Sequence, residues 1–377
     1  MRKPQGATSP PIGAIAALAL AAASTGVIVP ALKLLVEQTG NGSAAAGMFM
    51  AAHVLGGALG AALGARALRI TGSARALAAA ALGASIAATL LMAALDSLEL
   101  RVALRFVDGA CHLLAITTMV AAATSGDPEL RARRAVVMGL AIVLGVACGI
   151  FLGGPIASPE AALAVAALLS GAALVVVLVH LPAGVAAAHA RSPSRSALAP
   201  GLLAFGERFL FGTMTVAVPF LAPQSRVSIV LGIFMTASVV ALPFARRYAM
   251  TWGPVRLAVR SSAVLAATLA LIPAADVFSS TARAAVWAPL SGAAAGALYA
   301  AALVLVARSA ALEDRLRDMS TVHAGGNAGF AAGSLCAGAL TAVMPGALVV
   351  AIPSVAILVA AMIGVVLAAP AAMRAAP

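Results

Sequence analysis

The chain has 377 residues, of which 63% are hydrophobic and 10% charged, with a net charge of +12. A soluble domain carries roughly 25% charged residues and is less than half apolar, so composition excludes an ordinary soluble globule. The positive balance is not a nucleic-acid signature, because the basic residues sit in short loops and not in an aromatic-rich patch.

Arg2 and Lys3 precede a long apolar run that carries Pro30, which reads as a retained first span and not as a cleaved leader. Apolar runs of membrane length then recur to the other end, and short alternating barrel segments do not. Twelve spans are predicted, at 12–36, 44–68, 74–95, 102–124, 134–156, 160–183, 198–222, 226–247, 254–275, 284–307, 321–345 and 347–369. Alternating the loops puts 18 of the 24 basic residues on the side of both termini and leaves Arg101, Arg226 and Arg283 on the other. That bias follows the positive-inside rule, so both termini are expected in the cytoplasm and the protein in the inner (plasma) membrane.

The polar interruption at 184–197, with His189, Arg191, Pro193 and Arg195, divides the chain into halves at 1–183 and 198–377. The halves echo each other. Basic residues follow the second span (Arg66, Arg69) and the eighth (Arg246, Arg247), and spaced glycines line the fifth and the eleventh. Parallel repeats of this kind are one transporter plan. The expected fold is therefore all-α, with twelve transmembrane helices in two six-helix bundles.

Charges inside greasy segments mark ion or substrate paths, or static pairs. Arg105, Asp108 and His112 fall at i, i+3, i+7 and share one helical stripe. Asp108 is read as a proton-coupling candidate, with a static pair to Arg105 and a substrate contact without proton exchange as the competing readings. His112 is a second candidate, or a packing residue. Glu207 and Arg208 are adjacent and point about 100° apart. Glu207 is read as a further proton or cation site, as a partner of Arg105 across the halves, or as a gate-side ion pair. Lys33 and Glu37 are spaced as an outer i, i+4 pair, and His53, His323 and Asn327 are weaker candidates. Asn327 is expected to hydrogen-bond across helices. Gly145, Gly149 and Gly153 form a bare stripe, flanked by Gly154, along which a second helix approaches closely and slides or rocks. Pro30, Pro155, Pro219, Pro243 and Pro345 sit late in their spans, to bend or to end them. The run Glu313, Asp314, Arg315, Arg317, Asp318 reads as a solvated connector. Cys111, Cys148 and Cys336 have no metal or disulfide spacing, so neither a metal nor a cofactor is expected. There is no nucleotide-binding loop and no nucleophile–base set, which argues against an ATP-driven pump and against an enzyme.

Three stretches make the chain resemble the major facilitator superfamily of twelve-helix secondary transporters, over essentially its whole length. The glycines 145, 149, 153 and 154 are similar to the fifth-span pattern of its antiporter branch, with Ile150 where that pattern has proline. Gly60, Gly64, Arg66, Arg69 and Gly72 look like its cytoplasmic gate loop, without the usual aspartate. Arg105 to Gly109 is similar to the motif that opens its fourth helix, with Asp108 where glutamine is frequent. The resemblance implies that the first, fourth, seventh and tenth helices line a central cavity. It thereby places Lys33, Arg105, Asp108, His112, Glu207, Arg208 and Tyr299 on lining helices. The expected function is alternating-access transport of a small molecule, as proton-coupled efflux, with an uptake symporter or facilitator as the alternative. A non-transporting sensor or scaffold is the reading from another class. Expected partners are the substrate, membrane lipid and protons, with no nucleic acid, and the protein is expected to be monomeric.

Overall fold

The computed structural model describes residues 12–124, 128–181, 198–270, 280–307 and 312–344, with isolated positions between 349 and 364. The described elements are all helices: α1 (Ile12–Ile28), α2 (Leu32–Glu37), α3 (Ser43–Thr71), α4 (Ala74–Ala94), α5 (Leu98–Ala123), α6 (Pro128–Gly153), α7 (Pro159–His180), α8 (Leu198–Leu221), α9 (Gln224–Trp252), α10 (Pro254–Ala270), α11 (Thr281–Ala307) and α12 (Leu312–Val343). Seven of them hold a segment long and apolar enough to cross a membrane, and α1 and 137–153 of α6 are shorter apolar stretches. The chain is an all-α polytopic membrane protein.

Local chemistry sets several helix ends. Ser73, Ser97 and Ser158 accept a backbone N–H at the N-caps of α4, α5 and α7. Gly72 takes a left-handed φ of 64° and closes α3. The first predicted span is broken in two at Pro30, which lacks the N–H that would continue the helix. Pro219 and Pro243 instead lie within continuous helices. Two expectations are corrected. Arg66 and Arg69 sit on the last turns of α3 and not in a loop, and the expected connector 313–318 is the opening of α12. The linker 184–197, Pro345 and most of the span 347–369 lie outside the described residues.

Alanine and glycine dominate the helix contacts. A Cβ on Gly145, Gly149 or Gly153 of α6 would strike the carbonyl oxygen of Ala19, Ala23 or Val27 on α1. Gly325, Gly329 and Gly333 of α12 meet the carbonyls of Gly201, Phe205 and Phe209 on α8 in the same way. A second pairing also recurs. Gly56 and Gly60 of α3 press on carbonyls of Phe106 and Ala110 on α5, and Gly292 and Gly296 of α11 press on those of Phe234 and Ser238 on α9. The pairs α1–α6 and α3–α5 thus reappear, in chain order, as α8–α12 and α9–α11. Two further contacts are reciprocal: α3 packs on α12, and α6 on α9.

The cores differ between the two ends of the helices. Where α3 starts and α12 ends, one apolar cluster draws on α1 through α12, including Ile28, Phe49, Ile150, Leu210, Phe234 and Ala337. Ser43 Oγ donates to the Gly338 carbonyl at 2.9 Å, Gln224 Nε2 donates to the Pro30 carbonyl at 2.8 Å, and Gly154 abuts Ser228. Toward the other end the clusters separate. One holds Leu18, Leu77, Met119 and Val177, from helices before residue 184, and another holds Leu203, Ala249, Leu257 and Leu298, from helices after 197.

Backbone contact through glycine leaves no room for a side chain. Gly149→Val is expected to destabilise the protein by about 1–3 kcal/mol, read as a lower melting temperature in detergent. Gly139→Val, on the same helix with nothing within 4 Å of its added Cβ, is expected to melt like the parent. Equal melting of both variants would refute the contact.

Candidate functional site

The most polar buried cluster is centred on Asp108 of α5. The predicted stripe is present: Arg105, Asp108 and His112 are each at most 3% exposed. Asp108 uses both oxygens. Oδ2 accepts from Arg105 Nη1 at 2.7 Å and from His53 Nδ1 at 3.1 Å. Oδ1 accepts from Ser85 Oγ at 2.5 Å and, at the limit of contact, from Thr89 Oγ1 at 3.5 Å. The donors come from α3, α4 and α5. Because a carboxylate is an acceptor, the His53 Nδ1 facing it carries a proton. The His112 ring lies 5.5 Å from that of His53, and its Nε2 is 3.2 Å from Thr25 Oγ1 of α1.

Gly109 makes this geometry accessible. A Cβ there would strike the carbonyl of His53 itself, so only glycine lets α3 bring that imidazole onto the acid one residue earlier. Arg105 spends one of its nitrogens on Asp108. Its guanidinium lies 5.2 Å from the Phe49 ring, and its buried Nε and Nη2 have no hydrogen-bond partner. A buried arginine with donors to spare is exceptional, because buried polar groups are ordinarily hydrogen-bonded.

A second cluster sits on α8. Glu207 is 2% exposed and Arg208 is partly exposed. The residues expected to serve different partners face each other, with Arg208 Nε 3.2 Å from Glu207 Oε2. That oxygen accepts no hydrogen bond, so the contact is a charge pair without directional bonding. The guanidinium also lies 5.6 Å from the Phe211 ring and 5.7 Å from the Tyr299 ring of α11. The expected pairing of Glu207 with Arg105 is not made, because each has a nearer partner on its own helix.

The remaining candidates are peripheral or structural. Lys33 Nζ is 3.9 Å from Glu37 on the partly exposed α2. Asn327 is half-buried on α12 and makes no side-chain hydrogen bond among the described residues. His323 is exposed on the same helix. Gly60 and Gly64 face Ala110 and Leu114 of α5, so they pack α3 instead of forming a loop. His53 was ranked low in sequence because it stands alone in its own helix. Ser85 and Thr89 were missed, since hydroxyls in an alanine-rich helix carry no signal until a charge is brought to them. Among the described residues no group of His, Cys, Asp and Glu is arranged to hold a metal.

Membrane-length helices joined glycine to carbonyl, with paired charges buried between them, define a polytopic membrane carrier. Residues 14–222 match the family model of the Major Facilitator Superfamily, and the chain belongs to that family. It is accordingly a secondary carrier of a small molecule and not an enzyme. Solved structures of like fold include the human organic anion transporter MFSD10 (TETRAN), at 18% identity over 95% of this chain and 98% of that one, with a TM-score of 0.69. The nucleoside transporter NupG is 13% identical over 95% and 99%, with a TM-score of 0.72. A bacterial homolog of the human lysosomal transporter Spinster, in an inward-facing and unoccupied conformation, is 12% identical over 94% and 95%, with a TM-score of 0.68. At these identities the likeness is one of fold. No curated protein sequence matches the chain.

Breaking a buried pair by removing one partner costs about 3–5 kcal/mol, because the other charge is stranded. Asp108→Asn and Arg105→Gln are each expected to lower stability by this order, and the double variant to recover much of the loss. A thermodynamic cycle by thermal melting reads the coupling. Strict additivity would show that the two groups are independent.

Proposed function

We propose that the protein exports its small-molecule cargo in exchange for protons, by rocking two six-helix units, 1–183 and 198–377, joined by 184–197. The observation that carries the alternating-access part is the one-sided closure. The halves share a core and hydrogen bonds where α3 begins, and keep separate cores toward the opposite end. The parted end is the one bearing exposed Arg66, Arg69, Arg246 and Arg247. By the positive-inside rule that end is cytoplasmic, so the conformation corresponds to an inward-facing carrier with both termini inside.

The coupling part rests on how α3 is held. Its first turn bonds across the halves through Ser43, and its middle carries His53 to Asp108. A motion that releases Ser43 from Gly338 loads the same helix that supports the His53–Asp108 contact. In this reading Asp108 takes and releases a proton as His53 moves, with His112 as the neighbouring relay, and Glu207 is the second protonatable site. The spare donors of Arg105, with Lys33 and Arg208, favour an anionic or zwitterionic cargo. Gly145, Gly149, Gly153 and Gly154 act as the surface along which α6 shifts. The protein works as a monomer in the plasma membrane.

A second reading is a facilitator or uptake symporter in which Asp108 is a fixed pillar. The saturation of both its oxygens favours it. Reconstituted vesicles with an imposed proton gradient, an internal pH dye and a panel of labelled organic anions and zwitterions separate the two. Substrate-driven proton flux is expected in the parent, with at least a ten-fold loss in Asp108→Asn while substrate exchange without a gradient persists. Glu207→Gln is expected to shift the pH dependence of transport. Gradient-independent transport that Asp108→Asn leaves intact would select the facilitator.

A further inference from the structure

The last turns of α9 and the first of α10 carry a further feature. Phe244, Arg247, Tyr248, Thr251 and Trp252 line a cleft of ≈ 470 Å³. Tyr248 and Trp252 stack at 4.7 Å, and the Arg260 guanidinium of α10 lies 4.4 Å from the Trp252 ring. Arg246, Arg247, Arg256 and Arg260 are all exposed, and none forms an ion pair among the described residues. No Asp or Glu occurs between Glu207 and Asp276, so this corner has four positive charges and no acid in its own segment.

Its depth follows from helix length. α9 has 29 residues, which at about 1.5 Å per residue exceeds the roughly 30 Å hydrocarbon thickness by more than two turns, even with a modest tilt. With Gln224 at the opposite hydrocarbon boundary, residues from Phe244 onward reach headgroup level. Gly253, with φ 91°, reverses the chain there, so Pro254 starts α10 and its first turns return Arg256 and Arg260 to the same corner. An aromatic wall with exposed arginines at the membrane–water boundary complements a lipid phosphate above and its acyl chain below.

We propose that this α9–α10 corner is a binding site for an anionic phospholipid of the adjoining leaflet. Arg247 and Arg260 hold the headgroup phosphate, and Phe244 and Trp252 pack on the glycerol and upper chain. Each arginine near an anionic surface is worth roughly a five-fold preference.

The test uses the intact protein in mixed-lipid nanodiscs. Trp252 is one of only two tryptophans, so Trp287→Phe leaves it as the sole reporter. Quenching by phosphatidylglycerol carrying a nitroxide near the top of its chain is expected to exceed quenching by the matching phosphatidylcholine by roughly twenty-five-fold in apparent affinity. R247Q/R260Q is expected to reduce the two lipids to parity. Native mass spectrometry of the unsubstituted protein, with phosphatidylglycerol adducts retained and then lost in R247Q/R260Q, keeps the test valid if Trp287→Phe does not fold. Equal quenching by both lipids in the parent would overturn the proposal. So would displacement of the labelled lipid by millimolar inorganic phosphate, which would mark a site for a soluble anion.

Discussion

Hydrocarbon cannot solvate a charge, and the interior of this protein is organised around that fact. Asp108 is accepted at membrane depth because Arg105, His53, Ser85 and Thr89 surround its two oxygens. Each donor sits on a different turn or helix, so the acid fixes the mutual positions of α3, α4 and α5. The arrangement is asymmetric. The carboxylate is saturated while the guanidinium is not, since two buried donors of Arg105 have no hydrogen-bond partner. The Glu207–Arg208 pair of the second half is looser, with a charge contact but no directed hydrogen bond.

Close helix approach is the second requirement, because donors on separate helices reach one acid only if the backbones nearly touch. Glycine provides this, and it does so twice. The α1–α6 and α8–α12 contacts use ladders of the same step, and α3–α5 and α9–α11 use another. In a bilayer, where burial of apolar surface does not drive helices together, such backbone contact is a principal source of association. At one end a single core draws on all the helices, and at the other the cores are separate.

Much of the fold was legible in the sequence. Apolar length and the placement of arginines marked the spans, and the described helices follow them with shifts of a few residues at most ends. The larger departures have local causes. Proline at position 30 interrupts the first span, and α12 runs through a charged stretch that hydropathy reads as a connector. The stripe 105–108–112 was visible because it lies within one helix, where spacing alone sets direction. His53, Ser85 and Thr89 were not visible as a site, because their meaning depends on which helices adjoin α5. The Glu207–Arg105 pairing failed for the same reason: spacing says which way a residue points, not which helix stands opposite.

By itself the sequence determined that this chain must live in a membrane as a bundle of helices, where charge bias predicts an orientation and glycine stripes invite close contact. Those properties follow from one-dimensional quantities: apolar run length, residue period and the sign of loop charge. Only the tertiary structure decided that Asp108 is shared among three helices, that Gly109 admits His53 to it, and that α3 meets α12 and α6 meets α9. These are relations between segments tens to hundreds of residues apart. Packing geometry sets them, and a linear pattern does not encode it.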